Sequence, residues 1–80
     1  MRIVFEIPGE QVKTTVFHWN QKYLIKFEAG MYEQTYKVSE MDVTSDEDIR
    51  KLIEDETFQA EWMKCFRQMN SGLQEVLGKL

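Results

Sequence analysis

The side chains in this chain that could do chemistry are few, and each stands in a context that favours packing. His18 is the single histidine, set between Phe17 and Trp19. A general base needs a hydrogen-bonding partner and a cleft, and the sequence identifies neither, so it reads as a strand histidine, half-buried or exposed. Cys65 is the single cysteine. A Cys65–His18 dyad would need a base that lowers the thiol pKa, yet Cys65 lies in an apolar stripe between Trp62 and Met69, where a free thiol behaves as a small hydrophobe.

Asp42, Thr44, Asp46 and Asp48 occupy alternate positions, as at the start of a calcium loop. The match fails where such loops are strictest, because position 6 is Glu47 instead of glycine and position 12 is Ile53 instead of glutamate. The aromatics Phe17, Trp19, Tyr23, Phe27, Tyr32 and Tyr36 could stack single-stranded bases or line a pocket, but most alternate onto one apolar face. No glycine-rich phosphate loop, serine-nucleophile elbow, zinc spacing or HExxH pattern is present. The expectation is therefore no catalytic residue, no metal ligand and no cofactor.

The elements that carry these residues follow from periodicity. Arg2 to Ile7 alternates and then meets Pro8-Gly9, the pair suited to the centre of a type II turn. Val12 to Trp19 is β-branched and aromatic, and Asn20-Gln21 makes a tight connection. Tyr23, Ile25 and Phe27 alternate with Leu24, Lys26 and Glu28, ending at Ala29-Gly30, and Tyr32 to Val38 follows. Ile3, Phe5 and Ile7, then Tyr23, Ile25 and Phe27, then Tyr32, Tyr36 and Val38 are expected on the covered face. For the second strand either Phe17 with Trp19 or Val16 with His18 points inward.

After Thr44 the period changes. Thr44 and Glu47 have capping-box spacing, three acids crowd the first turn, and Ile49, Leu52 and Ile53 form a short stripe that predicts a helix through about Glu54. Thr57 is the expected cap of a long helix whose stripe is Phe58, Trp62, Cys65, Phe66, Met69, Leu73, Val76, Leu77 and Leu80. Lys64, Arg67, Ser71, Glu75 and Gly78 fall opposite. The fold class predicted over residues 1–80 is a single α+β domain: a four-stranded antiparallel β-meander, a short helix, and a long C-terminal amphipathic helix on one sheet face.

Composition bounds the function. The chain has 80 residues and net charge −4. Five bases and five acids cancel in residues 1–40, and nine carboxylates face five bases after Met41, so nucleic acid is not an expected partner. No apolar run approaches the ~20 residues of a membrane span, and no basic segment followed by an apolar run opens the chain, so neither a membrane partner nor a signal peptide is expected. One unpaired cysteine points to a reducing compartment and a cytoplasmic location.

Length supplies the remaining inference. A helix from Thr57 to Leu80 would be roughly 36 Å long, against a diagonal of about 25 Å for a sheet of four short strands. Leu73, Val76, Leu77 and Leu80 would then project as an apolar end and mark a contact with a second copy or another protein. A break at Asn70-Ser71-Gly72 would instead fold the end back, although the stripe stays in phase across Gly72. The expected function is a small interaction module that self-associates, as a homodimer, through this helix. The alternative is an apolar-ligand pocket between sheet and helices with Trp19, Tyr23, Tyr36 and Trp62 at its mouth.

Overall fold

Alternation of apolar and polar residues, interrupted by three short connections, produces the sheet. In the computed structural model, which describes residues 1–80, strands β1 (Arg2–Ile7), β2 (Lys13–Trp19), β3 (Lys22–Ala29) and β4 (Tyr32–Ser39) form one antiparallel sheet in the order β1-β2-β3-β4. A 3-10 turn (Glu40–Asp42) leads to α1 (Asp46–Glu54) and then α2 (Glu56–Leu77). Both helices lie on the same sheet face, which settles the expected meander with two C-terminal helices.

The connections have distinct causes. Asn20 and Gln21 both take positive φ (53° and 63°), the backbone twist that a two-residue hairpin needs, and Gly30 (61°) supplies the same at the β3–β4 turn. Gly9 differs from expectation. It does not take the positive φ of a type II turn. It is required because a Cβ there would sit 2.3 Å from the carbonyl oxygen of Val12, where the longer β1–β2 connection folds close on itself.

Register decides which side chains are inside. Tyr23, Ile25 and Phe27 stand opposite His18, Val16 and Thr14 on one side and Val38, Tyr36 and Gln34 on the other. Cross-strand partners share a face, so the open question in β2 is answered: Val16 and His18 face the helices, while Phe17 and Trp19 face outward. In β1 the expectation fails at one residue. A bulge between Ile3 and Phe5 pairs Ile3 with Phe17 and Phe5 with Val16, and the extra residue reverses the alternation. Ile3 consequently lies on the open face, exposed, while Val4, Phe5 and Ile7 pack on the core.

The core is small and largely aromatic. Val16, Tyr23, Ile25 and Phe27 from the sheet meet Ile49 and Ile53 of α1 and Trp62 and Phe66 of α2. Trp62 stacks on Phe27 with ring centroids 4.4 Å apart and planes at 17°. Phe58 meets both Phe27 (5.8 Å) and Tyr36 (5.2 Å) edge-on, contacts each worth about 0.5 to 1.5 kcal/mol beyond burial. The indole N–H of Trp62 is buried without a partner, a cost of about 1 to 3 kcal/mol that the core tolerates in exchange for the stack. At the β1 edge of the same face the Arg50 guanidinium of α1 lies 4.4 Å from the centre of the Phe5 ring, a cation–π contact.

Helix starts were displaced from the expected residues by short side-chain competition. Ser45 stands at the N-cap of α1 without a side-chain cap bond. Thr44 bonds forward instead, through both its N–H (2.8 Å) and its hydroxyl (2.6 Å), to Asp48 Oδ2, not to Glu47. For α2 the cap is Asp55, whose Oδ1 accepts from the Phe58 N–H at 2.9 Å. Thr57 already lies inside the helix. Asp55 thus closes α1 and opens α2, a one-residue link.

The two candidate caps separate by mutation. Asp55→Ala should destabilise the fold by about 1 kcal/mol, while Thr57→Ala should change the urea midpoint by far less. Equal losses for the two, measured by chemical denaturation, would contradict this cap.

Candidate functional site

Three contacts set the direction of α2 on the sheet. Phe58 lies against Tyr36, the Gln34 side-chain amide donates to the Trp62 carbonyl oxygen at 2.8 Å, and the Tyr32 hydroxyl donates to Asn70 Oδ1 at 2.9 Å. Moving from residue 58 to 70 along α2 therefore retraces β4 from Tyr36 back to Tyr32. At Asn70 the sheet has ended, because Tyr32 is the first residue of β4. The helix continues without a break at Asn70-Ser71-Gly72 as far as Leu77. Gly78 then donates to the Gln74 carbonyl, Lys79 to that of Val76 and Leu80 to that of Leu77, so the last residues stay coiled.

The result is an apolar end beyond the β3–β4 hairpin. Leu73 is half-buried, while Val76, Leu77 and Leu80 are 55%, 47% and 97% exposed. These residues lie together on the stripe that upstream carries Trp62, Phe66 and Met69 into the core. Met31, at the tip of the same hairpin, is 74% exposed. The molecule is correspondingly elongated, with principal extents of 47 × 25 × 23 Å.

A second cluster, polar, lies at the opposite end of the sheet. His18 Nε2 is 2.7 Å from Glu40 Oε2, and since a carboxylate only accepts, the imidazole N–H donates. The Glu40 backbone N–H also donates to the Gln21 carbonyl at 3.1 Å. The Tyr23 hydroxyl donates to Asp46 Oδ1 at 2.6 Å, and Arg2 approaches the other oxygen of Asp46 at 3.9 Å. The bond to Asp46, followed by burial, raises the Tyr23 pKa above its usual value. These bonds fasten the chain where it leaves the sheet for α1. Glu40 is 22 residues from His18 in the chain, so periodicity does not pair them, and only the hairpin between them brings the two together.

The remaining sequence-designated residues do not converge on one place. Tyr23 and Trp62 are core residues, Tyr36 is half-buried with its hydroxyl donating to Gln34 Oε1 at 2.6 Å, and Trp19 is exposed on the other face of the sheet. No cavity is found between sheet and helices. Burial, with the negative charges of Cys65 and Glu61 when ionised, raises the Tyr36 pKa. Cys65 itself is half-buried on α2, and the hydrogen-bonding partner of His18 is Glu40, not Cys65. Asp46 and Asp48 are engaged by Tyr23 and Thr44, and no three His, Cys, Asp or Glu side chains are grouped to share a metal ion. No helix is long and apolar enough to cross a membrane. Comparison with protein-family models, curated proteins and solved structures yields no match.

The start of α1 carries a pH dependence. The Thr44 hydroxyl, then the Thr44 N–H, holds the Asp48 carboxyl below its ordinary 3.8. A carboxyl depressed in the folded state stabilises fully above its unfolded value, and that contribution disappears as pH falls through the folded value. Asp48→Ala should therefore lower the urea midpoint near neutral pH. The gap from wild type should close as the pH is lowered from about 5 towards 2. A gap that stays constant over this range would rule out the carboxylate as its source.

Proposed function

We propose that this protein is a small cytoplasmic interaction module that forms a homodimer through the C-terminal end of α2, with Leu73, Val76, Leu77 and Leu80 in the contact. The observation that carries the reading is the continuation of α2 past the last strand residue it touches. At 1.5 Å per residue, the 22 residues of α2 span about 33 Å, and the last third has no sheet beneath it. Aliphatic side chains held in one row on a rigid helix, in water, favour any partner that covers them.

Overall dimensions support the same reading. The radius of gyration is 14.3 Å, against about 11.6 Å for a compact chain of this length. The accessible surface is 5810 Å², against about 5,100 Å² for a compact monomer of this mass. The surplus of roughly 700 Å² is close to the ~800 Å² that each partner contributes to a standard interface. With only 10 of 80 residues buried, the isolated chain has a thin core, and association would add to it.

Light scattering during size exclusion tests the proposal. At tens of micromolar the expected mass is twice 9.6 kDa, falling towards the monomer on dilution. Leu77→Ala should weaken association about tenfold or more while leaving the circular dichroism of the fold unchanged. A monomer throughout that range would defeat self-association and leave a different protein as the partner to seek.

A further inference from the structure

We infer that the two α2 ends pair antiparallel about a two-fold axis between Val76 and Leu77, setting Leu73 against the partner's Leu80 and Val76 against the partner's Leu77. The inference rests on the proposed self-association and specifies its geometry. Three observations lead to it.

The first is where the free space lies. The α2 stripe faces the sheet up to Asn70, and its continuation faces the space past the β3–β4 hairpin. That space has the depth of the layer that the sheet would have filled. A helix packs against a helix at 8 to 10 Å, so a second helix fits where the sheet stops.

The second is the spacing of the stripe. In an antiparallel pair, residues face each other when their numbers have a constant sum. Leu73 with Leu80 and Val76 with Leu77 share the sum 153, so one axis satisfies all four residues in both copies. The arrangement is isologous: the same patch serves on each side, and the assembly closes at two. The pair of helices also opposes its dipoles.

The third is the hairpin tip. Met31 lies at the end of the sheet over which α2 leaves, exposed and without a covering element. In the antiparallel pair the incoming helix end runs towards that tip, so Met31 of each copy is covered by the last turn of the other. Val76, Leu77, Leu80 and Met31 together present on the order of 400 to 500 Å² per copy, and the flanks of the paired helices supply the rest of an interface at the lower end of the stable range.

Cysteine cross-linking in a Cys65→Ser background tests the geometry, with wild-type sedimentation run in parallel. Leu73→Cys and Leu80→Cys copies are prepared separately, checked for unchanged circular dichroism, and oxidised alone and mixed. The expected result is a disulfide-linked dimer in the mixture and little in either alone, because an antiparallel pair separates like positions by about 10 Å along the axis, beyond disulfide reach. A Met31→Lys variant should raise the dimer dissociation constant at least tenfold. Efficient cross-linking of each variant with itself would show a parallel pair and overturn the inference while leaving self-association intact. A wild-type dimer with no cross-link in any sample would place the contact elsewhere and overturn it as well. Wild-type monomer by sedimentation would instead remove the self-association on which it stands.

Discussion

The stack of Trp62 on Phe27 fixes the position of α2, and much else follows from it. Phe27 is fully buried at the centre of the sheet, with Ile25 beside it, so the indole has one place to lie. Once Trp62 is there, helical geometry puts Phe58 one turn back over Tyr36 and Phe66 one turn forward at the edge of the core. The Tyr32–Asn70 bond then marks the end of the sheet. With the start of α2 tied to α1 through Asp55 alone, the helix cannot slide backward to shelter its last third. The overhang is thus a consequence of packing at the other end.

The two ends of the sheet have different chemistry for this reason. At the end where the chain passes into the helices, polar side chains fasten it: His18 to Glu40, Tyr23 to Asp46, Thr44 to Asp48. Those bonds hold α1 in place so that Ile49 and Ile53 reach the core. At the hairpin end the polar fastening is the bond of Tyr32 to Asn70, and beyond it the α2 stripe and the hairpin tip expose Val76, Leu77, Leu80 and Met31. The open face of the sheet is mixed, with Lys26 between Glu28 (3.8 Å) and Glu33 (3.2 Å) near one end and Ile3, Phe17 and Trp19 near the other.

Much of the architecture could be read from periodicity, because strands and helices that bury one face must repeat at two or at 3.6. The alternation of Tyr23, Ile25 and Phe27 located the central strand, and an unbroken stripe across Gly72 indicated one rod. The overhanging residues followed from the helix rise per residue set against the span of four short strands. What periodicity could not supply was local competition. The β1 bulge turns Ile3 outward although its alternation is perfect, because one inserted residue costs little in sequence and reverses a whole face. Thr44 chose Asp48 over Glu47 and Asp55 displaced Thr57, since neighbouring capping groups differ by less than about 1 kcal/mol. The inward face of β2 waited on its partners, as both of its sides are apolar. The direction of α2 relative to β4, which the antiparallel pairing needs, depends on contacts 28 to 38 residues apart.

The central claim is that the helix beyond Asn70 is covered by a second copy and not by its own sheet. Amide hydrogen exchange along α2, followed as a function of protein concentration, tests it most directly. The account predicts that amides from Leu73 to Leu77 are protected at high concentration and lose that protection on dilution, while those around Trp62 and Phe66 stay protected at both. Protection of Leu73 to Leu77 that is independent of concentration, or absent at every concentration, would contradict it.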